Sequence, residues 1–121
     1  MFEKSIDLFE SVIQLHGDGL LAATDRRADP GMWTVGAFHA ADDKAVHADV
    51  WERHPGAYEL LYVTKGAVRV HLREGGEPVT VGAGNCYVVP KNTWHRLTVV
   101  EPTDLLTISP RAETQHERRT D

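Results

Sequence analysis

The chain has 121 residues, a single cysteine and 26% charged residues, with a formal net charge of −5. That length suits one domain with its own core. An acidic balance with scattered basic residues argues against a general nucleic-acid binder, and the lone Cys86 excludes an internal disulfide or a cysteine-rich zinc framework. No apolar run approaches the roughly 20 residues of a membrane span, and the N-terminus lacks the apolar stretch of a signal peptide. A soluble chain in the reducing cytoplasm is expected.

In chain order, "FEKSIDLFESVIQL" places Phe2, Ile6, Phe9 and Ile13 at steps of three and four, which predicts a short helix within residues 1–24. Period-two alternation can also be read into residues 8–15. After the turn-rich "DRRADPG" come short β runs: "MWTVGAFHA", "AVHADVWERH", "YELLYV", "AVRVHL", "PVTV", "CYVV", "HRLTVV" and "DLLTIS". Turn chemistry divides them, and "TKGA" and "EGGE" read as hairpins whose glycines supply positive φ. Seven or eight short strands predict an all-β sandwich or barrel. The last segment, "RAETQHERRTD", has too little apolar content to pack and is expected to be a mobile tail, residues 111–121. Cys86, inside "CYVVP", is expected as a small buried thiol.

Alternate residues of a strand share a face. In "AVHADVWERH" that puts Val46, Ala48, Val50, Glu52 and His54 together, apolar until the last two. The next strand reverses the order, with Glu59 ahead of Leu61 and Val63. His95 likewise precedes Leu97 and Val99. Two imidazoles and two carboxylates therefore gather at one mouth of an aliphatic interior. Charged groups there are costly unless something pairs with them. Two close carboxylates in a low-dielectric mouth raise one pKa sharply, and a divalent ion or protonated histidines relieve the conflict.

These residues resemble the cupin superfamily, whose first motif is G(X)5HXH(X)3–4E(X)6G and whose second is G(X)5PXG(X)2H(X)3N. "HPGAYELLYVTKG" provides His54, Glu59 and Gly66 at matching steps, and "GNCYVVPKNTWH" provides Gly84, Pro90 and His95. The resemblance covers roughly residues 32–110 and implies a small double-stranded β-helix, or jelly-roll, barrel with the short helix before it. Three metal-ligand positions carry over, at His54, Glu59 and His95. The first histidine of HXH is Glu52 here, a carboxylate that can ligate, act as a general acid/base, or stand at the rim. Asn92 replaces the second motif's glycine, and asparagine tolerates the left-handed conformation. Val99 replaces its asparagine, and the leading glycine of the first motif is absent.

The resemblance implies one divalent transition metal, and the mixed N/O set suits Mn, Fe, Ni, Co or Zn. It also implies a small-molecule enzyme of dioxygenase or isomerase type, with a non-catalytic binding or sensing module as the alternative. His16, His39, His47, His71 and His116 lie outside the motifs and are expected to be structural or solvent-exposed. Trp51, Tyr58, Tyr62 and Trp94 fall off the inward parity. An outward face carrying Trp51, Tyr58 and Tyr62, together with the helix, suggests a homodimer.

Overall fold

The computed structural model describes residues 4–25, 29–110 and 113–120. Nine strands follow in order: β1 (Val12–Leu15), β2 (Leu21–Thr24), β3 (Trp33–Ala40), β4 (Val50–Arg53), β5 (Glu59–Leu72), β6 (Val79–Gly82), β7 (Cys86–Val89), β8 (His95–Pro110) and β9 (Gln115–Arg118). Their ladders are antiparallel. Along one path the order is β2-β1-β3-β8-β4-β9, while β5 pairs with β6, β7 and β8.

β5 and β8 form the spine, paired from Leu60 opposite Ile108 to Leu72 opposite His95. Inward parity along β5 places Leu61, Val63, Val68 and Val70 in the core with Val81, Val89 and Leu105. Phe38, Leu72, Tyr87 and Leu97 pack around this cluster. The all-β jelly-roll expectation is met, and the aliphatic interior is where strand parity puts it.

Five local expectations are corrected. Among the described residues no helix forms. Asp7 instead caps a turn, accepting from the N–H groups of Phe9, Glu10 and Ser11, and β1 then pairs with β2 and β3. Val12 and Gln14 are buried and Ile13 half-buried, so the period-two reading of this segment prevails. An isolated short helix is marginal, whereas the edge of β3 offers a ready ladder. Phe2 lies outside the described residues.

"TKGA" is a bulge within one long strand, with register shifts between Val63 and Val68. Gly66 holds φ at +87°, and a Cβ there would collide with the Pro102 carbonyl and lie 2.6 Å from Thr103 Oγ1. That hydroxyl also accepts from the Ala67 N–H at 3.0 Å, so β8 fills the bend closely. Of the long run "AVHADVWERH", only Val50–Arg53 is strand; the chain turns before it, with His47 at φ 51°. Cys86 is exposed, because β7 turns Tyr87 and Val89 inward and Cys86 and Val88 outward.

The fifth correction concerns the C-terminal segment. Gln115–Arg118 form β9, paired with β4 from Val50 opposite Arg118 to Arg53 opposite Gln115. Polar contacts supply what apolar content cannot. Arg53 donates to the Gln115 side chain, Arg73 grips Glu117 at 2.5 and 3.1 Å, and Arg118 reaches Asp49 at 3.1 Å.

Candidate metal centre at the mouth of the barrel

Glu52, His54, Glu59 and His95 are brought together, as their parity predicts. Glu52 is the third residue of β4 and sits opposite His95, the first residue of β8. Glu59 opens β5, and His54 follows β4 in the short connection between them. The His54 carbonyl accepts from the N–H of Asn92, which sits at φ 58°. The asparagine in place of a motif glycine thus adopts the left-handed turn and ties the two motif loops together.

Ring directions define the site. His95 Nδ1 lies 2.8 Å from the Thr93 carbonyl, so it carries the proton and donates, leaving Nε2 to face inward. His54 Nδ1 lies 3.1 Å from Thr114 Oγ1. His54 Nε2 faces Glu52 Oε1 at 2.9 Å and Glu59 Oε2 at 3.6 Å, and Glu59 Oε1 is 3.8 Å from His95 Nε2. The Glu52 oxygen is close but out of line for a hydrogen bond, and His54 Nε2 is buried without a directed partner.

The electrostatics follow from burial and charge. Burial pulls the His54 pKa down, but the carboxylates of Glu52 and Glu59 outweigh it and raise it to about 10. Burial pushes Glu59 up, yet His54 and His95 outweigh that and hold it at about 2. Without an ion, a protonated His54 offsets the carboxylate charge.

The donor set fits a single ion. Glu52, His54 and His95 each offer one ligand atom within 4.8 Å of the others. Bonds of about 2.1 Å place neighbouring donors roughly 3–3.5 Å apart and opposed ones about 4.2 Å apart. Glu59 braces both imidazoles but is not part of that trio. The orphaned Nε2 of His54 and the committed Nδ1 of His95 are what metal-ligating histidines show.

A pocket of about 520 Å³ opens onto these residues. Phe38, Val46, Val50, Leu61 and Leu97 form its apolar wall, and Glu52, Glu59 and His95 its polar side. His47, Arg96 and His116 also line it. Sequence reasoning missed three groups at the site. His116 Nε2 stands 3.6 Å from Glu52 Oε2, Thr114 holds His54, and His47 faces the pocket. The only sequence signal for the first two is their two-residue spacing in "ETQHER". His39 and His71 do stay outside, bonded to Asp104 and Thr98.

Trp51 departs from its expected outward exposure. It is 6% exposed, with the guanidinium groups of Arg73 and Arg96 at 5.8 and 5.3 Å from its ring. Tyr58 and Tyr62 remain exposed. No helix among the described residues is long and apolar enough to cross a membrane.

No curated protein matches the chain by sequence. Solved structures do resemble it. Streptomyces PAC13, in a variant with uridine, is 21% identical and covers 100% of this chain and 95% of its own, with a TM-score of 0.63. Pac13 is a nucleoside dehydratase. A cupin-2 domain containing protein from Shewanella frigidimarina is 22% identical over 69% of this chain and 76% of its own, at a TM-score of 0.55. A conserved Klebsiella pneumoniae protein with a double-stranded beta-helix domain is 14% identical over 78% and 75%, at 0.58. At these identities the likeness establishes the fold. The Cupin domain model matches residues 43–109, more than half of the chain and both motif segments, so the chain belongs to the cupin domain family.

Proposed function

We propose that the protein is a mononuclear divalent-metal enzyme acting on a small polar molecule held in the pocket. The observation that carries this reading is the direction of the two imidazoles. Each commits Nδ1 to a protein oxygen and aims Nε2 at a space shared with carboxylates. His54, His95 and Glu52 would hold the ion, with Glu59 as a further donor or brace. Mn, Fe, Ni, Co and Zn all suit such a set. Bound there, the ion supplies Lewis acidity to a substrate oxygen.

The chain's own groups do the rest. The apolar wall excludes water from the inner side of the pocket, and its volume suits a nucleoside-sized molecule. Where Glu59 takes the third ligand position instead, Glu52, 38% exposed against 14% for Glu59, is the carboxylate that can exchange a proton with a substrate. That geometry favours isomerase-type or dehydrating proton transfer over dioxygenation. The full-length likeness to a nucleoside dehydratase makes polyhydroxylated sugar derivatives the first substrates to try. A cytoplasmic homodimer, associating through the outer faces of β5 and β7 around Tyr62 and Val88, completes the proposal.

A metal-free binding cup is the second reading. The observation favouring it is that His54 Nε2 lies 2.9 Å from Glu52 and 3.6 Å from Glu59, where a protonated imidazole could offset the carboxylate charge without an ion. Elemental analysis of protein purified without added metal, followed by titration with each of the five ions, separates the two. His54→Ala and His95→Ala should each sharply reduce bound metal while far-UV circular dichroism stays unchanged. Wild-type protein that holds none of the ions leaves only the cup.

A further inference from the structure

We propose that the C-terminal strand is a working part of this centre, with Thr114 and His116 as positioning residues for His54 and Glu52. The inference rests on the metal-centre reading and extends it to residues outside both cupin motifs.

Parity on this segment is divided by task. Gln115 and Glu117 turn outward to Arg53 and Arg73, and those contacts fix β9 against the barrel. Arg119 adds a backbone bond to the Asp49 carbonyl at 2.8 Å. Thr114 and His116 turn the other way, into the site. Glu52 sits directly opposite His95 on one side and His116 on the other, so the three form a row across β8, β4 and β9.

Each inward residue constrains one donor. His54 Nδ1 lies 3.1 Å from Thr114 Oγ1, and when Nε2 ligates an ion the ring proton sits on Nδ1. Nδ1–H therefore donates to Thr114 Oγ1, and the bond fixes the plane of the ring. At Glu52 the two oxygens diverge. Oε2 faces His116 at 3.6 Å, while Oε1 stays 2.9 Å from His54 Nε2. His116 thereby keeps one Glu52 oxygen directed into the centre. Glu52 would otherwise sit on an open sheet edge, free to rotate into solvent.

The test uses full-length, EDTA-treated protein and Co(II) as the probe. Thr114→Val and Thr114→Ala should weaken Co(II) binding about 10–100-fold, with Thr114→Ser returning it to within about 3-fold of wild type. His116→Phe should weaken it about 10-fold and shift the visible d–d bands, since the Glu52 carboxylate would reorient. Wild-type affinity and an unchanged spectrum in Thr114→Val and His116→Phe would overturn the proposal. A second readout needs no metal: a slowly exchanging His54 ring N–H resonance in wild type and Thr114→Ser, lost in both Thr114→Val and Thr114→Ala. Should wild type bind no Co(II), the metal reading falls. The ring N–H then decides alone, and the same resonance in all four proteins would remove the role of Thr114.

Discussion

Glu59→Gln isolates what one buried charge contributes at the mouth of the barrel. The substitution keeps the side-chain volume and removes the charge that faces both imidazoles, at 3.6 and 3.8 Å. In wild type, His54 is raised from 6.5 to about 10, so its contribution is full below pH 6.5 and is lost as pH climbs to about 10. Glu59 is lowered from 4.5 to about 2, so its contribution is full above pH 4.5 and is lost as pH falls to about 2. The pair therefore stabilises most between pH 4.5 and 6.5.

Removing one partner of a buried pair costs about 3–5 kcal/mol when the other stays charged. Glu52, still 2.9 Å from His54 Nε2, keeps the loss at the lower end. At alkaline pH the variant's His54 sheds its proton and the loss shrinks. We expect about 3 kcal/mol at pH 5.5 and about 1 kcal/mol at pH 9. At an unfolding entropy of about 2.1 cal/mol/K per residue, these become Tm differences of about 12 °C and about 4 °C. Thermal unfolding of metal-free protein, wild type against variant across pH 3–10, reads both. A difference under 2 °C at pH 5.5, or one equal at both pH values, would refute the reasoning. An ion at about 100 times its Kd should raise the wild-type Tm by about 11 °C, equivalent to about 2.7 kcal/mol, and the variant by less.

Glu52→Gln should weaken metal retention without unfolding the chain if Glu52 ligates. If it moves a proton instead, metal content holds and turnover falls by ~10²–10⁴-fold, which elemental analysis beside kinetics distinguishes. Gly66→Ala should cost about 3–4 kcal/mol, combining left-handed strain with the collision against β8. A denaturation midpoint within about 1 kcal/mol of wild type counts against the bulge geometry. Sedimentation at micromolar concentration should show a dimer that Val88→Glu converts to monomer; a monomeric wild type removes that interface.

The barrel and the four mouth residues were legible in the sequence because both depend on period-two alternation. Glu59, Leu61 and Val63 read the same way on paper and in β5. What escaped depends on other physics. A glycine at positive φ serves a hairpin or a bulge equally, so "TKGA" could not announce that β5 runs on through it. An apolar run does not say which member faces in, and Cys86 took the outer side. The N-terminal segment satisfies both periods, and the available sheet edge decides. β9 escaped for a different reason. Hydrophobic pattern is blind to a strand held by Arg53, Arg73 and Arg118, whose partners come from distant positions.

That difference in cohesion makes the alignment of the site more sensitive to salt than the fold is. One step along the inner face of β5, from Glu59 to Leu61, carries the chain from paired charge to an aliphatic core. Val63, Val68 and Val70 below are fully buried, and none contributes to the centre. Burial of that core supplies the driving force for folding, carries no titrating group, and responds only weakly to moderate ionic strength. The mouth is governed by charge. Glu52 is shared between His54 and His116, and the strand carrying His116 is fastened by exposed ion pairs that salt screens. Ionic strength therefore acts on donor alignment before it acts on the barrel, and metal affinity should respond to salt at concentrations where the fold does not.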